Sequence, residues 1–291
     1  MSDKYWPHAL SRRAFLTGAS CLSGLALTGR LSDVHAATPP IHKLVAEPGK
    51  ALLRGTRAPQ VNIWGYNGVA PGPVLRVRQG EDIRVRLRNK LHQPTTVHWH
   101  GIRIANAMDG VPGLTQKPVE SGASFDYGFS CPDAGTFWYH PHKNSSEQVA
   151  RGLHGILIVE EKNPPEVDQD LPLVLDDWRL DETGQIHLTS FGAIGERAHG
   201  GRFGNTFTCN GSADYHVSVK AGERVRFRFC NVANASSFAV QIADHVAMVI
   251  AIDGQPVSPF KAHDGVILLS PGQRMDVIVD MTAVPGTKSK I

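Results

Sequence analysis

A strict two-residue alternation, written twice in one chain, is the feature that most constrains the fold. Ile83, Val85 and Leu87 alternate with Arg84, Arg86 and Arg88, and Val225, Phe227 and Phe229 alternate with Arg224, Arg226 and Arg228. Successive side chains of a strand point to opposite faces, so each run reads as a β-strand with one apolar and one wet face. The surroundings repeat as well. Residues 77–89 align with residues 219–231, and upstream Asn67-Gly68 matches Asn210-Gly211. An Asn-Gly turn, a strand, a Gly turn and a second strand therefore occur twice, as tandem β domains would require.

Composition agrees with that reading. The 291 residues are 41% apolar and 20% charged, rich in Gly and Pro, and show no sustained helical period, which predicts an all-β sandwich or barrel. The net charge of +3 comes from arginines scattered along strands rather than from a basic tract, so nucleic acid is not an expected partner. Residues 1–36 read as a twin-arginine export signal. Arg12-Arg13 precedes Phe15-Leu16, and a weakly apolar stretch to Leu27 is broken by Gly18 and Gly24. Small residues suited to cleavage end at Ala36. The stretch is too short and Gly-rich for a stable membrane anchor, and a twin-arginine signal predicts a periplasmic mature chain. Two domains are then expected, 37–162 and 163–291, joined at the proline-rich Lys162-Asn163-Pro164-Pro165. The first copy ends in the extended runs 135–139 and 155–159, which have no counterpart in the second, so the second domain is expected to be incomplete. Cys131, Cys209 and Cys230 remain after the signal, allowing at most one disulfide within the chain.

Two His-x-His pairs, His98-Trp99-His100 and His140-Pro141-His142, stand about forty residues apart in the first copy. On a strand each pair aims two imidazoles into one space, with Trp99, Trp138 and Tyr139 expected around them. Imidazole-only ligation suits copper, zinc, iron or nickel and disfavours calcium and magnesium. Reduction of dioxygen to water would need redox-active metals, which excludes zinc alone. In the second copy Val240 and Ile242 occupy the positions of His98 and His100. His154, His187, His199, His216, His245 and His263 are scattered and read as surface or satisfied core residues.

The segments 66–73, 98–101 and 135–142 resemble the first cupredoxin domain of multicopper oxidases, and 252–256 with 270–276 is similar to their second domain. The likeness is greatest to the bacterial laccase-like and cuprous-oxidase-like branch. It implies tandem cupredoxin-like Greek-key β-sandwiches, the second incomplete. It further implies that His98 ligates a type 2 copper and that His100, His140 and His142 ligate a type 3 pair. Asp109, nine residues after His100, would relay protons, although Asp109-Gly110 is also simply a turn sequence. The family's type 1 copper needs a Cys with two His, and no cysteine here is flanked by histidine. The resemblance thus implies the N-terminal portion of an oxidase. The complete enzyme would couple one-electron oxidation of a small phenol, amine or metal ion to four-electron reduction of dioxygen. A third cupredoxin domain would be a missing partner, and the isolated chain would be inactive. Two other readings remain open. A two-domain copper oxidase or nitrite reductase would need the absent type 1 site. A non-catalytic cell-envelope scaffold would have no reason to keep four histidines.

Overall fold

The alternating runs become the central strands of two consecutive β-sandwiches. The structure, a computed structural model, describes residues 39–196 and 200–291; the twin-arginine segment, Cys21 and His199 lie outside the described residues. In the first sandwich the strands are β1 (Ile41–Ala51), β2 (Val61–Tyr66), β3 (Leu75–Arg78), β4 (Asp82–Asn89), β5 (His98–His100), β6 (Ser124–Ser130), β7 (Gly135–His140) and β8 (Gly155–Glu160). A short helix α1 (Ser145–Ala150) lies between β7 and β8. The second sandwich comprises β9 (Gln169–Trp178), β10 (Thr206–Cys209), β11 (Arg224–Asn231), β12 (Phe238–Gln241), β13 (Met248–Ile252), β14 (Gln255–Lys261), β15 (Val266–Leu269) and β16 (Arg274–Asp280). The fold is all-β, with sheets ordered β2-β1-β4-β6 and β3-β8-β7-β5, then β10-β9-β11-β16-β13-β14 and β12-β15. No helix among the described residues is long and apolar enough to cross a membrane.

The sequence repeat is a structural repeat. β1 runs parallel to β4 and antiparallel to β2, and β9 stands in the same relation to β11 and β10. Asn67 and Asn210 both adopt left-handed backbone conformations, φ 59° and 47°, which asparagine tolerates in tight turns. Each side chain then brackets the neighbouring strand. Asn67 Oδ1 accepts from Val45 N–H at 2.8 Å while its Nδ2 donates to the Lys43 carbonyl; Asn210 does the same with Val174 and Pro172. Fully buried Asn89 and Asn231 close the repeat by pinning the loops that follow β4 and β11. The second sheets differ. Among the described residues the first sandwich has four strands there and the second has two.

On β4 the alternation behaves as expected: Ile83, Val85 and Leu87 are buried and their arginine neighbours face water. On β11 the expected wet face is wrong. Arg226 and Arg228 are only 2% and 1% exposed, because this face packs against the first sandwich rather than against solvent. Arg228 forks onto Asp170 at 2.6 and 2.8 Å and donates to Thr136 Oγ1 and Asp276. Arg226 donates to Asp276 and Glu161 at 2.6 and 2.7 Å, and Thr136 Oγ1 donates to Asp276 at 2.7 Å. Thr136 belongs to β7, so this network ties the strand carrying His140 to the core of the second sandwich. An apolar cluster of Trp138, Ile156 and Ile158 against Val174, Cys230 and Val232 completes the junction. Cys131, Cys209 and Cys230 are all free, and burial pushes the Cys131 and Cys209 thiols up to about 12.

Removing one member of a buried ion network strands its partners without water. Arg228→Met is expected to lower stability by about 3–5 kcal/mol, measured by urea unfolding. Burial pushes the Glu161 and Asp170 carboxyls up, but Arg226 and Arg228 respectively hold them below their ordinary values of 4.5 and 3.8. Their stabilisation is therefore full above those values and lost as pH falls through the depressed ones. Asp170→Asn should flatten the loss of stability below about pH 4, read from unfolding curves between neutral pH and pH 2.

Candidate metal centre

β5 and β7 pair antiparallel with His98 opposite His140 and His100 opposite Trp138. Alternation then sorts the side chains. His98, His100, Trp138 and His140 share one face, while Trp99 and Tyr139 point the other way, where Trp99 meets Tyr127, Phe129 and Tyr139 in the core. Of the three aromatics expected around the histidines, only Trp138 lies on their face. It stacks on His140, with ring centroids 4.1 Å apart, and tilts against His100 at 4.9 Å.

One ligand nitrogen from each of His98, His100 and His140 lies within 4.8 Å of the others, and His100 Nδ1 is 3.4 Å from His140 Nε2. His142 follows the end of β7, is exposed, and falls outside that triad. Its ring centroid is nonetheless 5.3 Å from that of His98, and its backbone N–H donates to Thr96 Oγ1. Backbone carbonyls select the tautomers. With Nδ1 protonated, His98 donates to the Asp109 carbonyl at 2.9 Å and His140 to the Pro141 carbonyl at 2.8 Å, leaving both Nε2 atoms unprotonated. Burial, then the charges of Arg274 and His98, lower the His100 pKa to about 4. Burial also holds His140 well below the ordinary histidine range. Two of the three imidazoles are thus neutral at pH 7, the state that binds transition metals. A convergent all-nitrogen donor set with preset tautomers fits copper, and equally its neighbours zinc, iron and nickel.

Asp109 is brought to this site. Its carboxylate Oδ1 lies 3.2 Å from His98 Nδ1, beside its own carbonyl. The turn reading holds too: Gly110 has φ +74°, and a Cβ there would sit 1.8 Å from the Val97 carbonyl oxygen. The tight turn is what brings Asp109 against His98. His154 is buried away from the triad, with Nε2 3.1 Å from Asp176 Oδ2. Among the described residues no cysteine joins a metal-binding group.

Sequence reasoning missed the contribution of the second sandwich. A cleft of about 520 Å³ opens beside His100, Trp138 and His140, and its lining includes Arg202, Asn234 and Gly272 of the second sandwich. Arg274, 3% exposed, reaches Gly101, the residue after His100. The only sequence signal for that approach is the glycine itself.

Multicopper oxidase family models match residues 51–164 and 169–287. Multicopper oxidase MmcO of Mycobacterium tuberculosis is 31% identical over 317 residues, covering 92% of this chain and 61% of that protein. The crystal structure of a multi-copper oxidase from Pseudomonas thermotolerans is 40% identical, with a TM-score of 0.79, and covers 86% of this chain and 60% of that one. Blue copper oxidase from Nitrosomonas europaea is 33% identical, with a TM-score of 0.70, covering 83% of this chain and 75% of that one. The chain spans 52% of the length of copper resistance protein A from Pseudomonas syringae pv. tomato, and 61% of MmcO.

If the Asp109–Gly110 turn sets the His98 tautomer, Gly110→Ala should weaken binding of a cupric ion by about 10–100-fold. Asp109→Asn keeps the backbone carbonyl and should cost less. Calorimetric titration of both folded variants orders the two effects.

Proposed function

Since this chain belongs to the multicopper oxidase family, we propose that it forms part of a copper oxidase, with His98, His100, His140 and His142 as one wall of a trinuclear copper site. The observation that carries this reading is the triad of nitrogens within 4.8 Å of one another, two of them with tautomers already set. His98 would hold the type 2 copper, and His100, His140 and His142 would serve the type 3 pair. The facing donors, and a type 1 site, would come from a further cupredoxin domain beyond the described residues. Copper bound there supplies the one-electron redox chemistry that takes dioxygen to water, with electrons from a small phenol, amine or low-valent metal ion.

The chain's own residues orient and protect that site. Trp138 clamps His100 and His140 from one side. The Asp109 carboxylate, half-buried at the His98 ring, can hold a proton beside the cluster and exchange it with solvent. The Arg12-Arg13 pattern supports export to the periplasm. A copper-free envelope scaffold is the weaker reading, because such a protein would not need converging imidazoles with set tautomers.

The purified 291-residue chain should bind cupric ion, and His140→Ala should lose that binding while staying folded. The chain alone should show no strong absorption near 600 nm, where copper–thiolate charge transfer appears, and no oxidation of a phenolic dye above the free-copper rate. Failure of the intact chain to take up copper would overturn the assignment of the four histidines.

A further inference from the structure

The second sandwich has no histidine pair at the matching positions, yet one of its side chains braces both ligand strands of the first. The Arg274 guanidinium donates from Nε to the Thr136 carbonyl at 3.2 Å, from Nη1 to the Gly272 carbonyl at 2.9 Å, and from Nη2 to the Asp253 carbonyl at 3.0 Å. The Asp253 carboxylate also lies 2.9 Å from Nη1. Thr136 is on β7, four residues before His140. The other edge of the fork lies against β5: a Cβ built on Gly101 would stand 2.2 Å from Nη2 and 2.9 Å from the guanidinium carbon. The same loop presents Gly272 to the His100 ring, where a Cβ would come within 3.3 Å of Cε1. Five donors in a rigid plane, held by three carbonyls and a carboxylate, make a fixed wedge rather than a mobile surface charge.

We infer that Arg274 is a positioning residue for the copper site, fixing His100 relative to His140 from the neighbouring sandwich. This rests on the reading of the histidines as copper ligands. It gives the ligand-free sandwich a part in metal binding. Gly101 follows His100 on two counts: its φ of +88° disfavours any side chain, and a Cβ there would displace the wedge.

The test is cupric titration of the 291-residue chain, read by calorimetry and by the electron paramagnetic resonance spectrum of bound Cu(II). Arg274→Met is expected to weaken binding by about tenfold or more and to change the spectrum, with Arg274→Lys intermediate because it keeps charge without the fork. Gly101→Ala should act in the same direction. The double variant Gly101→Ala/Arg274→Met should lose less than the sum of the singles, because both disturb one contact. Asp280→Asn, which breaks the exposed ion pair with Arg224 at the other end of β16, should leave the spectrum unchanged. If Arg274→Met does not fold, Arg274→Lys and Gly101→Ala decide the matter. Folded variants with wild-type affinity and spectrum would overturn the inference while leaving the copper assignment standing. Absence of copper binding in the unmodified chain would overturn the assignment, and the inference with it.

Discussion

At the junction of the sandwiches two buried arginines, Arg226 and Arg228, share the buried carboxylate of Asp276 and the half-buried ones of Asp170 and Glu161, and this network sets the frame in which everything else is placed. Charges removed from water are tolerable only when every partner is present and well oriented. Here Asp276 serves Arg226, Arg228 and Thr136 at once, while Asp170 accepts two bonds from Arg228 and Glu161 one from Arg226. A slip of one sandwich against the other would break several of these bonds together. β7 therefore stands in one position relative to β11 and β16, and the loop before β16 can meet the histidine face with the accuracy that ligand geometry demands.

Local chemistry was legible in the sequence and remote chemistry was not. His98 and His100 could be placed on one face because strand alternation is a property of adjacent residues. At His142 the rule has no strand to act on, since β7 ends at His140; the ring centroid lies 5.3 Å from that of His98 but outside the three-nitrogen group. On β11 the rule failed. Alternation says which residues share a face and nothing about what covers it, so Arg226 and Arg228 read as wet in the sequence although the first sandwich covers them. Trp99 and Tyr139 were misplaced by treating neighbours in sequence as neighbours in space.

The site itself is built more from backbone than from side chains. The Asp109 and Pro141 carbonyls set two tautomers, and Gly110 matters through the space it leaves for the Val97 carbonyl. Carbonyl contacts of this kind carry no residue signature, so a sequence announces the ligands and hides their supports. Arg274 is the intermediate case: its identity is visible, but its partners Thr136 and Gly101 lie far away along the chain.

The duplicated asparagine brackets have a consequence for what this polypeptide can become. Both copies keep Asn67 or Asn210 at the turn and Asn89 or Asn231 at the strand end, so the folding instructions survive intact in the copy without ligands. Val240 and Ile242, where the first copy has His98 and His100, are 7% and 5% exposed and help fill the second core. Placing histidines there would bury two imidazoles among aliphatic side chains, with a desolvation penalty and no metal to offset it. The same framework thus carries a metal-facing strand in one sandwich and a core strand in the other, and the packing of Val240 and Ile242 closes the second to a copy of the first one's site.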